Sequence, residues 1–213
     1  MAKQQRGFER KDLPDPKTKL RIMLLAIRRF LDEGYLFIGL DHFALPEDEL
    51  SVALRERTLR RNFMGHTTQA GVDLLGFGAS AISELRGSYA QSHRELEAWH
   101  RALRERGVAT MRGHFLSRED IERRWIIQRL ICLGEVRACD YREAFAGELA
   151  ERYRKELEQL EPAVADGLVV IEGDGSFFLT PLGRLLVRNV AMAFDAYLPE
   201  QERSGMRIFS KAV

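Results

Sequence analysis

Several short constellations in this 213-residue sequence hold residue types that can do chemistry. Asp41-His42 sets an imidazole directly beside a carboxylate, the pairing that fixes a histidine ring's orientation. It suits a functional histidine at the end of a strand, and equally a structural one satisfied by its neighbour. The loop Arg61-Asn62-Phe63-Met64-Gly65-His66-Thr67-Thr68-Gln69 offers an aromatic face, a thioether, an imidazole and polar donors in sequence. Its Thr-Thr-Gln end can touch a ligand or simply be a polar loop. Gly76 and Gly78 follow an apolar run, where glycine lets backbone N–H groups approach a phosphate or lets a strand end pack closely; the spacing does not continue as G-x-G-x-x-G. Arg55, Arg57, Arg60 and Arg61 can grip carboxylates through bidentate charge-assisted bonds, or form a solvated helix end. No pair among His42, His66, His93, His100 and His114 has the spacing of the H-E-x-x-H zinc motif, so no metal site is expected. Cys132 and Cys139 are the two cysteines, read as a buried thiol and a loop thiol. Two thiolates fall short of the three or four ligands an iron–sulfur cluster needs.

The elements that must position these residues follow from composition and pattern. With 45% hydrophobic residues, the chain can bury roughly 70% of the surface its unfolded form exposes, enough for one sizeable domain or two small ones. Thirty-three basic and 32 acidic residues leave a formal charge of +1, which gives no overall drive toward nucleic acid or anionic membrane. No apolar run reaches the length of a membrane span, and nothing after Met1 reads as a signal peptide, so a cytoplasmic protein is expected.

Asp15-Pro16 reads as a helix start, and Leu20, Met23, Leu24, Ile27 and Leu31 recur at helical spacing, predicting a helix over 16–33. Residues 35–41 form a nearly continuous apolar run of the kind shown by a strand buried on both faces. Residues 46–61 read as helix, with acidic residues first and arginines last, as the helix dipole favours. Residues 73–78 read as a second buried strand. Ser92 and Glu95 have the form of a capping box opening a helix to Arg106, ended by Gly107. Ser117 caps a further helix carrying Ile121, Trp125, Ile126, Leu130 and Ile131. Residues 140–160 are charged and helix-prone, with a break at Pro162. Residues 168–179 form a hairpin around Gly173-Asp174-Gly175, and Thr180-Pro181 caps a closing helix to about Leu198. The pattern predicts an α/β portion over 1–110 and a mainly helical portion with a small antiparallel hairpin over 111–213. Helices followed by a hairpin also read as a winged helix, but the acidic residues between Asp140 and Glu161 oppose phosphate binding, so no nucleic-acid partner is expected.

Three blocks carry a resemblance: Asp41-His42-Phe43-Ala44-Leu45-Pro46, then residues 61–69, then Gly76-Phe77-Gly78-Ala79-Ser80-Ala81-Ile82-Ser83. In this order they resemble the oxygen-independent coproporphyrinogen III oxidases, radical S-adenosylmethionine enzymes of haem synthesis. The resemblance covers essentially the whole chain but only about the C-terminal half of a typical member. It implies the end of an incomplete parallel (β/α) barrel followed by a helical, winged-helix-like cover. It further implies a second S-adenosylmethionine site, with Phe63 stacking on the cofactor, Met64 beside it and Ile82 lining the pocket. Relatives usually carry glutamine at the position of Met64 and tyrosine at that of His66. The family's four-iron four-sulfur cluster is held by a Cys-x-x-x-Cys-x-x-Cys run, which is not among these residues, so no cluster is expected on this chain and no catalytic residue is assigned to it. The implied role is the C-terminal portion of the enzyme that decarboxylates propionates to vinyl groups, inert alone. Its partners would be a porphyrinogen and the cluster-bearing N-terminal half. The alternative is a non-catalytic module that binds a tetrapyrrole or a partner protein. Open strand edges also predict a homo-oligomer.

Overall fold

The Asp15 carboxylate accepts a hydrogen bond from the Thr18 N–H at 3.0 Å and Pro16 follows it, so α1 (Pro16–Asp32) starts where the capping pattern places it. The structure, a computed structural model, describes residues 12–198. No residue of α1 is buried. One edge packs through Phe30, whose ring stacks on Phe43 with centroids 4.5 Å apart and meets Tyr35 edge-on.

The apolar run after α1 makes β1 (Leu36–Gly39), which turns at Leu40 and pairs antiparallel with β2 (His42–Ala44). Asp48 caps α2 (Glu49–Arg55), which is shorter than the helix predicted over 46–61. Arg57 adopts a left-handed φ of +62° that a helix cannot continue through, and Arg60 and Arg61 lie in β3 (Arg60–Asn62), paired antiparallel with β4 (Gly65–Thr67). The strand expected over 73–78 does not form. Leu74 makes a single bridge to Glu84, while Leu75 and Phe77 are exposed and Gly78 turns at φ +101°. A short apolar run becomes a strand only where a neighbour pairs along it, and here Leu74 alone is paired.

The next sheet is a meander of β5 (Ile82–Leu85), β6 (Ser88–Ser92) and β7 (Thr110–Phe115), with α3 (Leu96–Arg106) between the last two. Ser92 does not cap α3 as the pattern suggested. It closes the ladder opposite Thr110, and Glu95 takes the cap position without a side-chain bond. Gly107, at φ +73°, ends the helix as expected. All strand pairs among the described residues are antiparallel, so the parallel pairing expected of β1 is not made within them.

Ser117 and Asp120 form a reciprocal capping box for α4 (Arg118–Leu133). Short elements then follow closely: β8 (Glu135–Val136), α5 (Ala138–Phe145), α6 (Leu149–Arg152), α7 (Arg154–Gln159) and α8 (Glu161–Ala165). Cys139 lies in α5, exposed, rather than in a loop; Cys132 is buried, as predicted. The hairpin is β9 (Val169–Ile171) with β10 (Phe177–Leu179), and β8 joins it to make a sheet of order β8-β10-β9. Thr180 caps the final helical stretch, which breaks at Leu186 into α9 (Pro181–Leu185), α10 (Val187–Ala191) and a 3-10 turn at Met192–Phe194. Gly183 is required at its position, because a Cβ there would lie 1.9 Å from the Leu168 carbonyl oxygen.

Two cores result. The larger collects Ile126 and Leu130 of α4 with Tyr141, Tyr153, Phe177, Val187 and Phe194; the smaller holds Ile38, Ala44, Ala53 and Leu59 against Cys132. Among the described residues no helix is long and apolar enough to cross a membrane.

Candidate functional site

Asp41 and His42 form the dyad their adjacency allows, with Asp41 Oδ1 2.9 Å from His42 Nδ1. His42 in turn meets His66 edge-to-face, centroids 4.9 Å apart. The β1–β2 and β3–β4 hairpins therefore interlock, and two glycines permit it. A Cβ on Gly65 would sit 3.1 Å from His42 Nε2, and one on Gly39 would sit 3.4 Å from His66 Nε2. Burial, with help from the charges of Arg61 and His42, pushes the His66 imidazole down to about 4, so it is neutral at physiological pH. Cys132 Sγ lies 3.9 Å from His66 Nδ1, and burial pushes this thiol up to about 11, which leaves it an unreactive apolar neighbour. This is a packed joint whose exposed end is the Asp41–His42 dyad. Among the described residues no group of three or more His, Cys, Asp or Glu is arranged to hold a metal ion.

The residues expected at a cofactor lie beside that joint. Phe63, at the β3–β4 turn, is 52% exposed and Met64 is 85% exposed, while Ile82 opens β5 half-buried. Sheet pairing relates them. Ile82 opposes Gln91, Glu84 opposes Tyr89, and alternation puts all four side chains on one face. The Tyr89 ring on that face meets Phe63 edge-to-face at 5.2 Å. Phe63 and Ile82, 19 residues apart in sequence, thus share one surface, with Met64 at its outer rim. Arg124 of α4 backs it. Its guanidinium lies over the Tyr89 ring at 5.7 Å and is held by Glu84. An exposed aromatic ring and an aliphatic side chain on one surface suit a flat ring such as adenine; Met64 adds a polarizable thioether and no strong donor.

The other sequence candidates separate from this surface. Gly76 makes a close approach of backbone to backbone: its N–H donates to Ser83 Oγ at 3.0 Å, and a Cβ would lie 2.6 Å from the Ile82 carbonyl oxygen. It thereby fixes where β5 begins. Of the arginines, Arg55 donates to the Pro46 carbonyl and Arg57 pairs with Glu135 and Asp140. Arg129 and Arg137 share those two carboxylates.

The patterns of the sequence did not single out Tyr89, Arg124 or Glu122. The last is a buried carboxylate on the inner side of α4 that accepts from Arg118, Arg152, Tyr141 and Tyr153. Burial alone would raise its pKa, but the hydrogen bonds outweigh that and hold it below the ordinary range. Glu122 ties α4 to α5 and α6, a structural role.

Known proteins share this architecture. Residues 116–186 match a family described as the HemN C-terminal domain. The oxygen-independent coproporphyrinogen III oxidase of Escherichia coli is 42% identical over 209 residues, covering 98% of this chain and 45% of that protein. The Synechocystis protein of the same name is 41% identical over 213 residues, again 98% and 45%. The one from Thermostichus vulcanus is 40% identical over 211 residues, 98% of this chain and 63% of its own length. A solved structure, described as coproporphyrinogen III oxidase (HemN) from Escherichia coli, a radical SAM enzyme, superposes with a TM-score of 0.86 at 42% identity, over 91% of this chain and 44% of that one. The chain thus spans less than half the length of the first two relatives.

Proposed function

We propose that the chain, whose residues 116–186 match the HemN C-terminal domain, belongs to the oxygen-independent coproporphyrinogen III oxidases and serves as the C-terminal enclosure of such an enzyme, in the oxidative decarboxylation of coproporphyrinogen III propionates to the vinyl groups of protoporphyrinogen IX. The observation that carries this reading is the shared surface of Phe63 and Ile82, joined through Tyr89. Phe63, Met64 and Ile82 hold a second S-adenosylmethionine molecule in this reading, Phe63 against its flat base and Ile82 beneath. A different S-adenosylmethionine molecule, at the iron–sulfur cluster of the complete enzyme, would supply the hydrogen-abstracting radical. The residues of this chain bind and enclose.

Only two cysteines occur in these 213 residues, so in this reading the cluster is held by the part of the enzyme that corresponds to the rest of the relatives' length. In this reading residues up to about 110 close an incomplete barrel and those from 111 form the cover, whose β8-β10-β9 sheet among short helices resembles a winged helix. Helix α1 supports a partner on the barrel side. Ile22 and Leu25 are exposed, and so are Leu20, Leu24 and Leu31 on other sides of the helix; a helix apolar on several sides sits inside a larger assembly. The partner is the cluster-bearing half, with self-association of this chain as the substitute when that half is absent.

Co-expression of this chain with the cluster-bearing half of a relative tests the reading. Decarboxylation of coproporphyrinogen III under anaerobic conditions should require both polypeptides and fall at least tenfold with Phe63→Ala. Turnover by the cluster-bearing half without this chain would overturn it.

A further inference from the structure

A cleft of about 420 Å³ opens between the β5–β6–β7 sheet and α4, and the segment from Phe194 to Tyr197 closes its far side. Its interior is mainly apolar: Leu116 and Ile127 with the rings of Tyr89 and Phe194. The arginines at its walls are already paired. Arg123 donates to Glu119 Oε1 at 2.8 Å and to Glu156 Oε1 at 2.6 Å, and Arg124 is held by Glu84. Of the two lining carboxylates, Asp120 accepts from Ser117 and the Tyr197 hydroxyl and stands 3.5 Å from His114 Nε2. Asp195 accepts the Tyr197 N–H at 2.9 Å and keeps capacity for further donors.

These walls select an uncharged apolar side chain. An ionised group would lose its water and find the opposite charges inside occupied, whereas an aromatic ring gains buried area and ring contacts with Tyr89 and Phe194. The chain itself carries such a ring close by. The Tyr197 hydroxyl lies 3.2 Å from His114 Nε2 on β7 and 2.8 Å from Asp120 Oδ1 on α4, so the described chain, which stops at Leu198, leaves between the two walls of the cleft. In the sequence that follows, Pro199 to Gly205 is polar and ends in a Ser-Gly turn signal, and Met206-Arg207-Ile208-Phe209-Ser210-Lys211 brings the apolar members. A stretch of the length of 199–205 reaches roughly 23–25 Å when extended, ample to bring Phe209 back to the cleft. The peptide groups of an entering segment can be met as well, because β7 is the outer strand of its sheet and all 6 of its residues are exposed.

We propose that this cleft is the docking site of the chain's own residues 206–211, with Phe209 seated in it against Tyr89 and Phe194. Arg207 and Lys211 stand two residues to either side, on the face of an extended segment that carries Phe209, which brings a cation to each rim of the cleft, where Asp195 can accept one. Tyr89 then has an aromatic ring on two sides, Phe63 at 5.2 Å on one and Phe209 on the other, so the docked segment braces the Phe63–Ile82 surface from behind. Such docking needs neither cofactor nor substrate and is open to test on the isolated chain.

The test uses the full 213-residue chain and a fluorescently labelled synthetic peptide of residues 204–213. Phe209→Glu places a charge where the cleft has no free partner for one and alters no contact among the described residues, so the variant should keep the wild-type thermal midpoint. The peptide should bind the Phe209→Glu chain at least tenfold more tightly than the wild type, whose own segment competes at the high effective concentration of a tethered partner. A peptide carrying the same substitution should bind neither chain. Cysteines give a second reading, since Cys132 is buried and Cys139→Ser removes the exposed thiol. In that background the pair His114→Cys and Ser210→Cys should close an intramolecular disulfide under oxidised glutathione at least tenfold faster than the same pair combined with Phe209→Glu. No peptide binding by the Phe209→Glu chain, equal binding by both chains, or cross-linking indifferent to Phe209→Glu would each overturn the proposal. A cross-link formed mainly between two molecules would overturn it in favour of a segment lent by a second copy.

Discussion

The part of the chain after Ser117 closes on itself, whereas the part before it does not. In the C-terminal region Tyr141, Tyr153, Phe177 and Phe194 are all but fully buried in one core, and even the carboxylate of Glu122 is enclosed and fully bonded. In the N-terminal region a 17-residue helix has no buried residue, Phe77 is 89% exposed, and the small core of Ile38 and Leu59 is completed by Cys132 and Leu133 lent by α4. The difference separates two tasks. One region is stable by its own packing; the other leaves many of its apolar side chains on the surface.

The contrast breaks most readily in the C-terminal core. Phe177 stacks on Phe194 with ring planes 4° apart and is fully buried, so Phe177→Ala should cost about 3–5 kcal/mol in urea unfolding. Glu122→Ala should cost about 3 kcal/mol, the lower end for a buried ion pair, because Arg118 and Arg152 can turn to water while the two tyrosine hydroxyls cannot. Leu59→Ala in the small core should cost about 2–3 kcal/mol, near the lower end of buried leucine truncations, because its exposed surroundings can collapse inward. Equal losses at Leu59 and Phe177 would mean that the two regions unfold as a single evenly packed unit.

What could be read from the sequence follows the same division of labour. Helix α1, the cap of α4 and the β9–β10 hairpin were legible because their signals are local: Asp15-Pro16, Ser117, and the Gly173-Asp174-Gly175 turn. Residues 73–78 misled because hydrophobicity alone does not make a strand; Leu75 and Phe77 are exposed, and nothing among the described residues covers them. The early end of α2 at Arg55 and the strand at Arg60 come from a left-handed turn at Arg57, which carries no glycine to announce it. Phe63 and Ile82 were reached through family resemblance. Tyr89 and Arg124 were not, because Arg124 meets its partner Glu84 forty residues away and only the folded sheet brings them together.

The joint between the hairpins gives a pH-dependent test. His66 has an ordinary value of 6.5, lowered to about 4 in the fold by burial and by the charges of Arg61 and His42. The unfolded chain therefore binds the proton first, so His66 adds stability that is fully present above pH 6.5 and is lost as the pH falls from there toward 4. Asp120 and Glu122, with lowered values from ordinary ones of 3.8 and 4.5, lose their contribution only at lower pH, so the interval from pH 7 to 5.5 isolates the histidine. Urea midpoints should fall across that interval in the wild type and remain nearly flat in His66→Gln. An equally steep fall in the variant would place the proton elsewhere.

The smallest expected change in stability gives the sharpest test of the comparison. Ile22 and Leu25 on α1 are 56% and 57% exposed, so replacing both with glutamate removes almost no buried surface from this chain, and unfolding should shift by no more than about 0.5 kcal/mol. Two charges on a side of the helix that a partner covers would be costly to bury, however. The same double variant should lose association with the cluster-bearing half by at least tenfold in a pull-down or light-scattering titration, and should reduce any self-association of the isolated chain. Stability and association would then move independently at one helix. Association unchanged by the two glutamates would show that the Ile22 and Leu25 side of α1 faces water in the assembly and leave the Leu20, Leu24 and Leu31 side or the β1 edge to meet the partner.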